Sequence, residues 1–138
     1  MKNINYFFQK KRANFGDIIS VNRGLYRHYG VYISDNTVIH YASFGGDFGR
    51  NVCIHATSLR KFLNGSMGYE VCVFPDGFNG KETVKRALSR IGERRYSLFA
   101  NNCEHFATWC KTGVSYSKQI WIDSYKKTLL VRVFSIFY

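Results

Sequence analysis

The chain has 138 residues, with 20 Lys and Arg against nine Asp and Glu, which gives a formal charge of +11; 46% of its residues are hydrophobic. This length and apolar content suit one domain with its own core, and they exclude a disordered tail or a multidomain protein. A single proline and 12 glycines also exclude collagen-like and proline-rich linker proteins.

The first half of the chain carries the β-branched and aromatic runs that are typical of strands. The predicted strands are Asp17–Val21, Gly30–Ser34, Thr37–Ala42, a short one at Val52–Ala56, and Gly68–Phe74. The stretch Leu59–Leu63 fits neither a strand nor a helix clearly. Glycines at 45, 46 and 49 indicate a loop after the third strand.

The second and third predicted strands are separated by a two-residue turn at residues 35–36, which predicts a hairpin. Counted outward from this turn, the register places His40 opposite Val31, three positions along the ladder from His28. A twisted hairpin leaves the two rings within reach of each other, and the sequence does not decide whether they meet.

Two helices are predicted after the strands. Helical spacing of apolar residues predicts one over Lys81–Gly92, and a second runs over Cys103–Lys111 after an N-cap at Asn101 or Asn102. Strands that precede helices favour an α+β fold over a doubly wound parallel sheet.

Cys103 is the candidate nucleophile from this pattern. In the first turn of a helix, unpaired N–H groups and the helix dipole favour an anion, so the thiol pKa is expected to fall. A nucleophilic cysteine also needs a base held by a third polar group, and His28, at the start of a strand, can serve as that base. The structural alternatives are a buried inert thiol and a histidine that merely packs.

The remaining cysteines and histidines suggest no further centre. His105 is expected to pack or to lie on the surface away from the nucleophile, and Cys110 is expected in the core. Zinc bound by Cys103, His105 and Cys110 would lack a second ligand pair, so neither a metal nor a cofactor is expected. Without a recognisable signal peptide, the expected compartment is the cytoplasm, with all four thiols free.

Four segments together resemble the lecithin:retinol acyltransferase-like domain family, the H-box/NC proteins that include the small phospholipase A/acyltransferases. The segments are Gly16–Ile19, Tyr26–Ile33, Asn36–Ala42 and Tyr96–Phe106, the last of which ends in the letters NCEHF. The resemblance covers residues 15–42 and 81–120 and fades between them.

The resemblance implies a circularly permuted papain-like or NlpC-type cysteine enzyme fold, built from an antiparallel sheet with helices. It implies that Cys103 is the nucleophile, His28 the general base and His40 the residue that orients His28. It further implies a glycerophospholipid acyl donor, a thioester acyl-enzyme, and water, an amine or an alcohol as the acceptor. Backbone N–H groups at the start of the Cys103 helix are the expected oxyanion donors.

Two alternatives fit the same sequence segments. Certain viral proteins resemble this family and act as interaction proteins on RNA or host factors, with no enzymatic activity implied. An NlpC-type cysteine peptidase or amidase would use the Cys/His chemistry on an amide substrate. Lipid turnover through a thioester distinguishes a lipid acyltransferase or phospholipase from both alternatives.

The expected organisation is a basic N-terminal segment at 1–14, a catalytic domain at 15–125 and a short apolar and basic tail at 126–138. The apolar run Leu129–Tyr138 is too short to cross a bilayer core, which needs about 20 residues, and it either lies in the membrane interface or packs on the domain. The charge of +11 is expected to attract an anionic membrane surface more than nucleic acid, giving peripheral membrane association.

Overall fold

The computed structural model describes residues 4–98 and 101–118. The elements are β1 (Phe7–Gln9), β2 (Ile18–Asn22), β3 (Arg27–Ser34), β4 (Thr37–Ala42), β5 (Cys53–Thr57), α1 (Leu59–Leu63), β6 (Glu70–Val73), α2 (Gly80–Leu88) and α3 (Cys103–Thr112). The strands form one six-stranded sheet in the order β1-β6-β2-β3-β4-β5, with antiparallel pairing throughout. The prediction of an α+β fold with an antiparallel sheet and helices is confirmed.

Local sequence signals explain where the helices begin and end. The ambiguous stretch Leu59–Leu63 is helix α1, which Ser58 caps by accepting the N–H of Lys61. Helix α2 ends at Leu88, four residues before the predicted end at Gly92. The apolar period continues beyond Leu88, but Ile91 is exposed, so packing does not support another turn.

The N-terminal segment contributes a strand to the sheet. Residues 7–9, inside the segment 1–14 that we expected to precede the domain, form strand β1 at the sheet edge, where Phe8 pairs with Cys72 of β6. The predicted tail 126–138 lies outside the described residues. Among the residues that are described, no helix is long and apolar enough to cross a membrane.

A bulge in the β3–β4 hairpin changes the predicted register. Next to the turn, Ser34 pairs with Thr37 as expected, but the register then shifts by one residue at Ile33. His40 therefore pairs with Gly30, and the prediction that it faces Val31 is wrong. Because side chains alternate between the two faces of a strand, this shift puts His40 on the same face as His28, two residues before Gly30.

Each face of the sheet is covered by helices. On one face, Phe106 of α3 packs with Val31 and Ile39 in a core cluster. On the other face, Phe62 of α1 packs with Val38. Phe62 lies so close to Gly30 that a Cβ on this glycine would come within 2.7 Å of the ring, so the backbone position requires glycine.

Candidate active site

The start of helix α3 is fixed by a capping box. The Oδ1 atom of Asn102 accepts the N–H groups of Glu104 at 2.9 Å and of His105 at 3.0 Å. In return, Nδ1 of His105 accepts the N–H of Asn102 at 3.1 Å. Asn102 is thus the N-cap, His105 is a buried capping residue, and Cys103 is the first residue of the helix.

The Cys103 thiol lies against the main chain of β3. The ladder between β3 and β4 ends at Gly30 and His40, so the main chain of β3 before Gly30 is open on that side. The thiol donates to the carbonyl oxygen of Arg27 at 3.8 Å. Sγ of Cys103 therefore lies against the main chain next to His28.

Burial raises the pKa of the Cys103 thiol to about 12, so the prediction of a lowered pKa is wrong. The side chain is 3% exposed, and the carboxylates of Asp47 and Glu104 add to the effect of burial. The N–H groups of Tyr29 and Glu104 act in the opposite direction without outweighing it. The thiol is neutral at physiological pH and requires a base when it reacts.

His28 is buried as a neutral imidazole. Burial lowers its pKa to about 4, although Asp47 acts to raise it. Its Nε2 lies 2.9 Å from Nδ1 of His40, whereas its own Nδ1 has no hydrogen-bond partner within the described residues. The unpartnered Nδ1 is the His28 ring nitrogen nearer the main chain. Arg27, the residue before His28, contacts the Cys103 thiol through its carbonyl oxygen.

His40 continues the contact away from the thiol. Burial, together with the neighbouring His28 and His55, holds its pKa well below the ordinary value. Its Nε2 lies 3.2 Å from Nε2 of His55 on strand β5. The structure thus joins His28 and His40 by a ring contact and places the Cys103 thiol against the main chain beside His28, with no hydrogen bond from the thiol to either ring among the described residues.

Asp47 belongs to the site, although the sequence analysis did not single it out. It lies in the glycine-rich loop after β4, is 8% exposed, and accepts from Nε of Arg23 at 2.8 Å and from the Tyr26 hydroxyl at 2.7 Å. Its Oδ1 lies 3.6 Å from Nε2 of His28. Burial alone would raise the pKa of the Asp47 carboxyl. The neighbouring His28, Arg23 and Tyr26 outweigh burial and lower that pKa. A lone acidic residue among loop glycines was the available signal.

Glu104 is a second residue that the sequence analysis missed. Its carboxylate is fully buried and accepts from the hydroxyl of Tyr6, from Oγ of Ser117 at 2.8 Å and from the N–H of Lys118 at 3.0 Å. These contacts tie the segment before β1 and the residues after α3 to the turn that carries Cys103.

A cavity of about 330 Å³ lies beside this part of β3. Its lining includes apolar side chains, Phe8 and Leu25, and two cations, Arg27 and Lys118. Arg27 is also the residue whose carbonyl meets the thiol. Among the described residues, no group of three or more His, Cys, Asp and Glu side chains has an arrangement that could hold a metal ion.

Comparison with known proteins places this geometry in a family. Residues 11–116 match the sequence profile of the family described as lecithin retinol acyltransferase. This match spans well over half of the 138 residues. The chain belongs to the lecithin retinol acyltransferase family. The resemblance seen in the sequence is confirmed, and the papain-like or NlpC-type description is consistent with this family.

Relatives within the lecithin retinol acyltransferase family include two kinds of protein. Human lecithin retinol acyltransferase is 28% identical over 144 residues, an alignment that covers 86% of this chain and 63% of the relative. Human phospholipase A and acyltransferase 2 is 31% identical, with 80% of this chain and 78% of the relative covered. Rat phospholipase A and acyltransferase 1 is 30% identical, with coverage of 75% and 71%. The chain thus spans less than two thirds of the length of the human retinol acyltransferase.

Proposed function

We propose that this chain is a thiol-dependent lipid acyltransferase or phospholipase A-type acyl hydrolase that acts on glycerophospholipid esters. The observation that carries the proposal is the placement of the Cys103 thiol on the main chain that flanks His28, a neutral imidazole with an unpartnered Nδ1. The names of the relatives, lecithin retinol acyltransferase and phospholipase A and acyltransferase, support a lipid ester as the acyl donor.

In the first half-reaction, Sγ of Cys103 attacks the ester carbonyl carbon while its proton passes to Nδ1 of His28. The sulfur–carbon bond forms, the bond from carbon to the lysolipid oxygen breaks, and His28 returns the proton to that oxygen. The product is a thioester on Cys103. Because the thiol and the imidazole are both neutral beforehand, proton transfer accompanies the attack.

In the second half-reaction, the acceptor loses a proton to Nδ1 of His28 and attacks the thioester. The thiolate leaves and regains its proton, which restores the neutral pair. Water as acceptor gives a free fatty acid, whereas an amine or alcohol gives an amide or a new ester. His40 orients His28 through the 2.9 Å contact between their ring nitrogens.

The oxyanion that develops on the carbonyl needs donors at the start of α3. Asn102 already takes up the N–H groups of Glu104 and His105. We therefore assign the oxyanion contact to the N–H of Cys103 itself, the remaining first-turn donor beside the reacting sulfur.

The cavity beside β3 suits an ester that carries a phosphate. Phe8 and Leu25 offer apolar contact for an acyl chain, and Arg27 and Lys118 place positive charge at the same cavity. The Arg27 guanidinium is held over the Phe8 ring at 3.8 Å and pairs with the Glu70 carboxylate at 2.8 Å, so its position is fixed and a phosphate would share it with Glu70. Arginine and lysine are the side chains that recognise phosphate groups.

Peripheral attachment to an anionic membrane surface is part of the proposal. The formal charge of +11 supports it, since basic residues near an anionic leaflet contribute about 1 kcal/mol each. Sedimentation with vesicles that contain or lack phosphatidylserine, at low and high salt, tests it. We expect binding to need the anionic lipid and to weaken in salt; binding indifferent to both would overturn this part.

The activity is tested with phosphatidylcholine vesicles, by measuring lysophospholipid and fatty acid release with and without an added amine. We expect turnover by the unaltered chain and by Cys110→Ala, which removes a buried thiol of the same helix, and none by Cys103→Ala. Equal turnover by Cys103→Ala would contradict the proposal. Cleavage of a peptide amide without lipid turnover would favour a peptidase, and RNA binding without turnover would favour an interaction protein.

A further inference from the structure

Three histidines from three neighbouring strands form one chain of nitrogen contacts. Nε2 of His28 lies 2.9 Å from Nδ1 of His40, and Nε2 of His40 lies 3.2 Å from Nε2 of His55. At the far end, Nδ1 of His55 lies 3.1 Å from the carbonyl oxygen of Cys53. The proposed base is thus connected, through two further rings, to a main-chain carbonyl.

That carbonyl determines where each proton lies. A carbonyl oxygen accepts hydrogen bonds and never donates, so Nδ1 of His55 carries the proton of that ring. A neutral imidazole has one N–H, so Nε2 of His55 accepts from Nε2–H of His40. By the same count, Nδ1 of His40 accepts from Nε2–H of His28, and Nδ1 of His28 is left with a lone pair.

The opposite arrangement would place a lone pair against a lone pair at the Cys53 carbonyl. The Cys53 thiol lies farther from Nδ1 of His55, at 3.7 Å, and competes weakly with the carbonyl at 3.1 Å. Asp47 favours the same arrangement independently, because its carboxylate lies 3.6 Å from Nε2 of His28 and attracts a proton there.

We propose that His55 is a positioning residue that, with the Cys53 carbonyl, holds His28 in the tautomer whose Nδ1 is free to accept a proton. The proposal rests on the proposed function, in which that proton comes from Cys103. In the other tautomer, Nδ1 of His28 would carry a proton already and could not act as a base. His55 contacts His40 and Phe44, and it is connected to His28 only through the His40 ring.

Histidine tautomers are directly observable by nitrogen-15 NMR of the full chain labelled at its histidine rings. At neutral pH we expect the proton on Nε2 in His28 and His40 and on Nδ1 in His55. Each signal is assigned by its loss in the corresponding His→Gln variant. A proton on Nδ1 of His28 in the unaltered protein would overturn the proposal.

Two variants at His55 distinguish the loss of its hydrogen-bond acceptor from the loss of its packing. His55→Phe keeps a ring against Phe44 but has no acceptor for Nε2–H of His40, so we expect mixed tautomers at His28. We expect kcat to fall at least about tenfold with KM unchanged. His55→Gln offers its carbonyl oxygen to Nε2–H of His40, and we expect it to retain the tautomers and the rate.

Phe44→Leu is the matched control. It removes the ring stacked on His55, 4.2 Å between centroids, without removing a proton donor or acceptor. We expect unchanged tautomers and rate. If His55→Phe leaves the His28 tautomer or kcat unchanged, or if Phe44→Leu reproduces its effect, the positioning role is wrong. The NMR measurement does not depend on turnover. The expected tautomers in a protein without lipid activity would contradict the proposed function but support this proton arrangement.

Discussion

His28 and His40 lie on one face of the sheet with 2.9 Å between Nε2 of the first and Nδ1 of the second. The contact depends on the bulge at Ile33, which moves the hairpin by one residue after its turn. Without that shift the two side chains would point to opposite faces. A local irregularity of the backbone therefore creates the pairing on which the proposed base depends.

The N-cap of α3 is expected to matter for activity as well as for stability. Asn102→Ala removes the acceptor of two first-turn N–H groups, so we expect a loss of about 1 kcal/mol in the free energy of unfolding. We also expect kcat to fall, because Cys103 begins that turn. Denaturant unfolding and lipid turnover measure the two effects.

Asn79→Ala is the matched control for the cap. Asn79 caps α2 by accepting the N–H of Glu82 at 2.8 Å, so it belongs to a different helix from Cys103. We expect a similar loss of stability with unchanged kcat. Equal losses of activity in Asn79→Ala and Asn102→Ala would show that the cap acts through general stability alone.

Asp47→Asn is expected to destabilise the fold strongly. Asp47 and Arg23 are an almost completely buried ion pair, so removing one charge leaves the other unpaired, at a cost of about 3 kcal/mol. Asp76→Asn, at an exposed position, should change stability by less than about 0.5 kcal/mol. Similar urea midpoints for the two variants would contradict the role given to Asp47.

The pH dependence of kcat/KM should have an unusually acidic limb. His28 must be neutral to accept a proton, and burial lowers its pKa to about 4. We therefore expect kcat/KM to stay level at neutral pH and to fall as the pH drops toward about 4. A limb near 6.5, the ordinary value for histidine, would contradict the burial of His28 as the base.

Buried neutral histidines should also make the fold sensitive to acid. Burial lowers the pKa of His105 to about 4, while in the unfolded chain it returns to about 6.5. The unfolded state then binds more protons below 6.5, so this contribution to stability is complete above that pH and is lost as the pH falls toward 4. We expect Tm to fall over this window. His105→Gln keeps an acceptor for the Asn102 N–H, and its Tm should fall less steeply over this pH window. An identical dependence of Tm on pH in the two proteins would contradict a lowered pKa of His105.

The parts that the sequence predicts well are those with local causes. Helix α3 begins after an asparagine and ends before Gly113, its C-cap, whose φ of 79° is the left-handed conformation that glycine adopts readily. The hairpin strands follow from β-branched and aromatic runs on either side of a two-residue turn. Cys110 is buried in the core, as its place on the helix two turns from Cys103 predicts.

The parts that the sequence misses have no local sequence signal. No local signal reports the bulge at Ile33, so the register of His40 was misplaced by one residue. The pKa of Cys103 depends on how completely the sheet covers the thiol, and burial there outweighs the helix terminus. Asp47 lies at the candidate site because it meets Arg23 and His28, which are distant in sequence.

The most direct test of the central claim is the intact mass of the full chain after incubation with phosphatidylcholine vesicles. We predict a covalent adduct of one acyl chain that hydroxylamine removes, as expected for a thioester on Cys103. Cys110→Ala should form the same adduct and Cys103→Ala none. A folded protein that turns over the lipid without a hydroxylamine-sensitive adduct at Cys103, or that forms the adduct equally well in Cys103→Ala, would contradict the account.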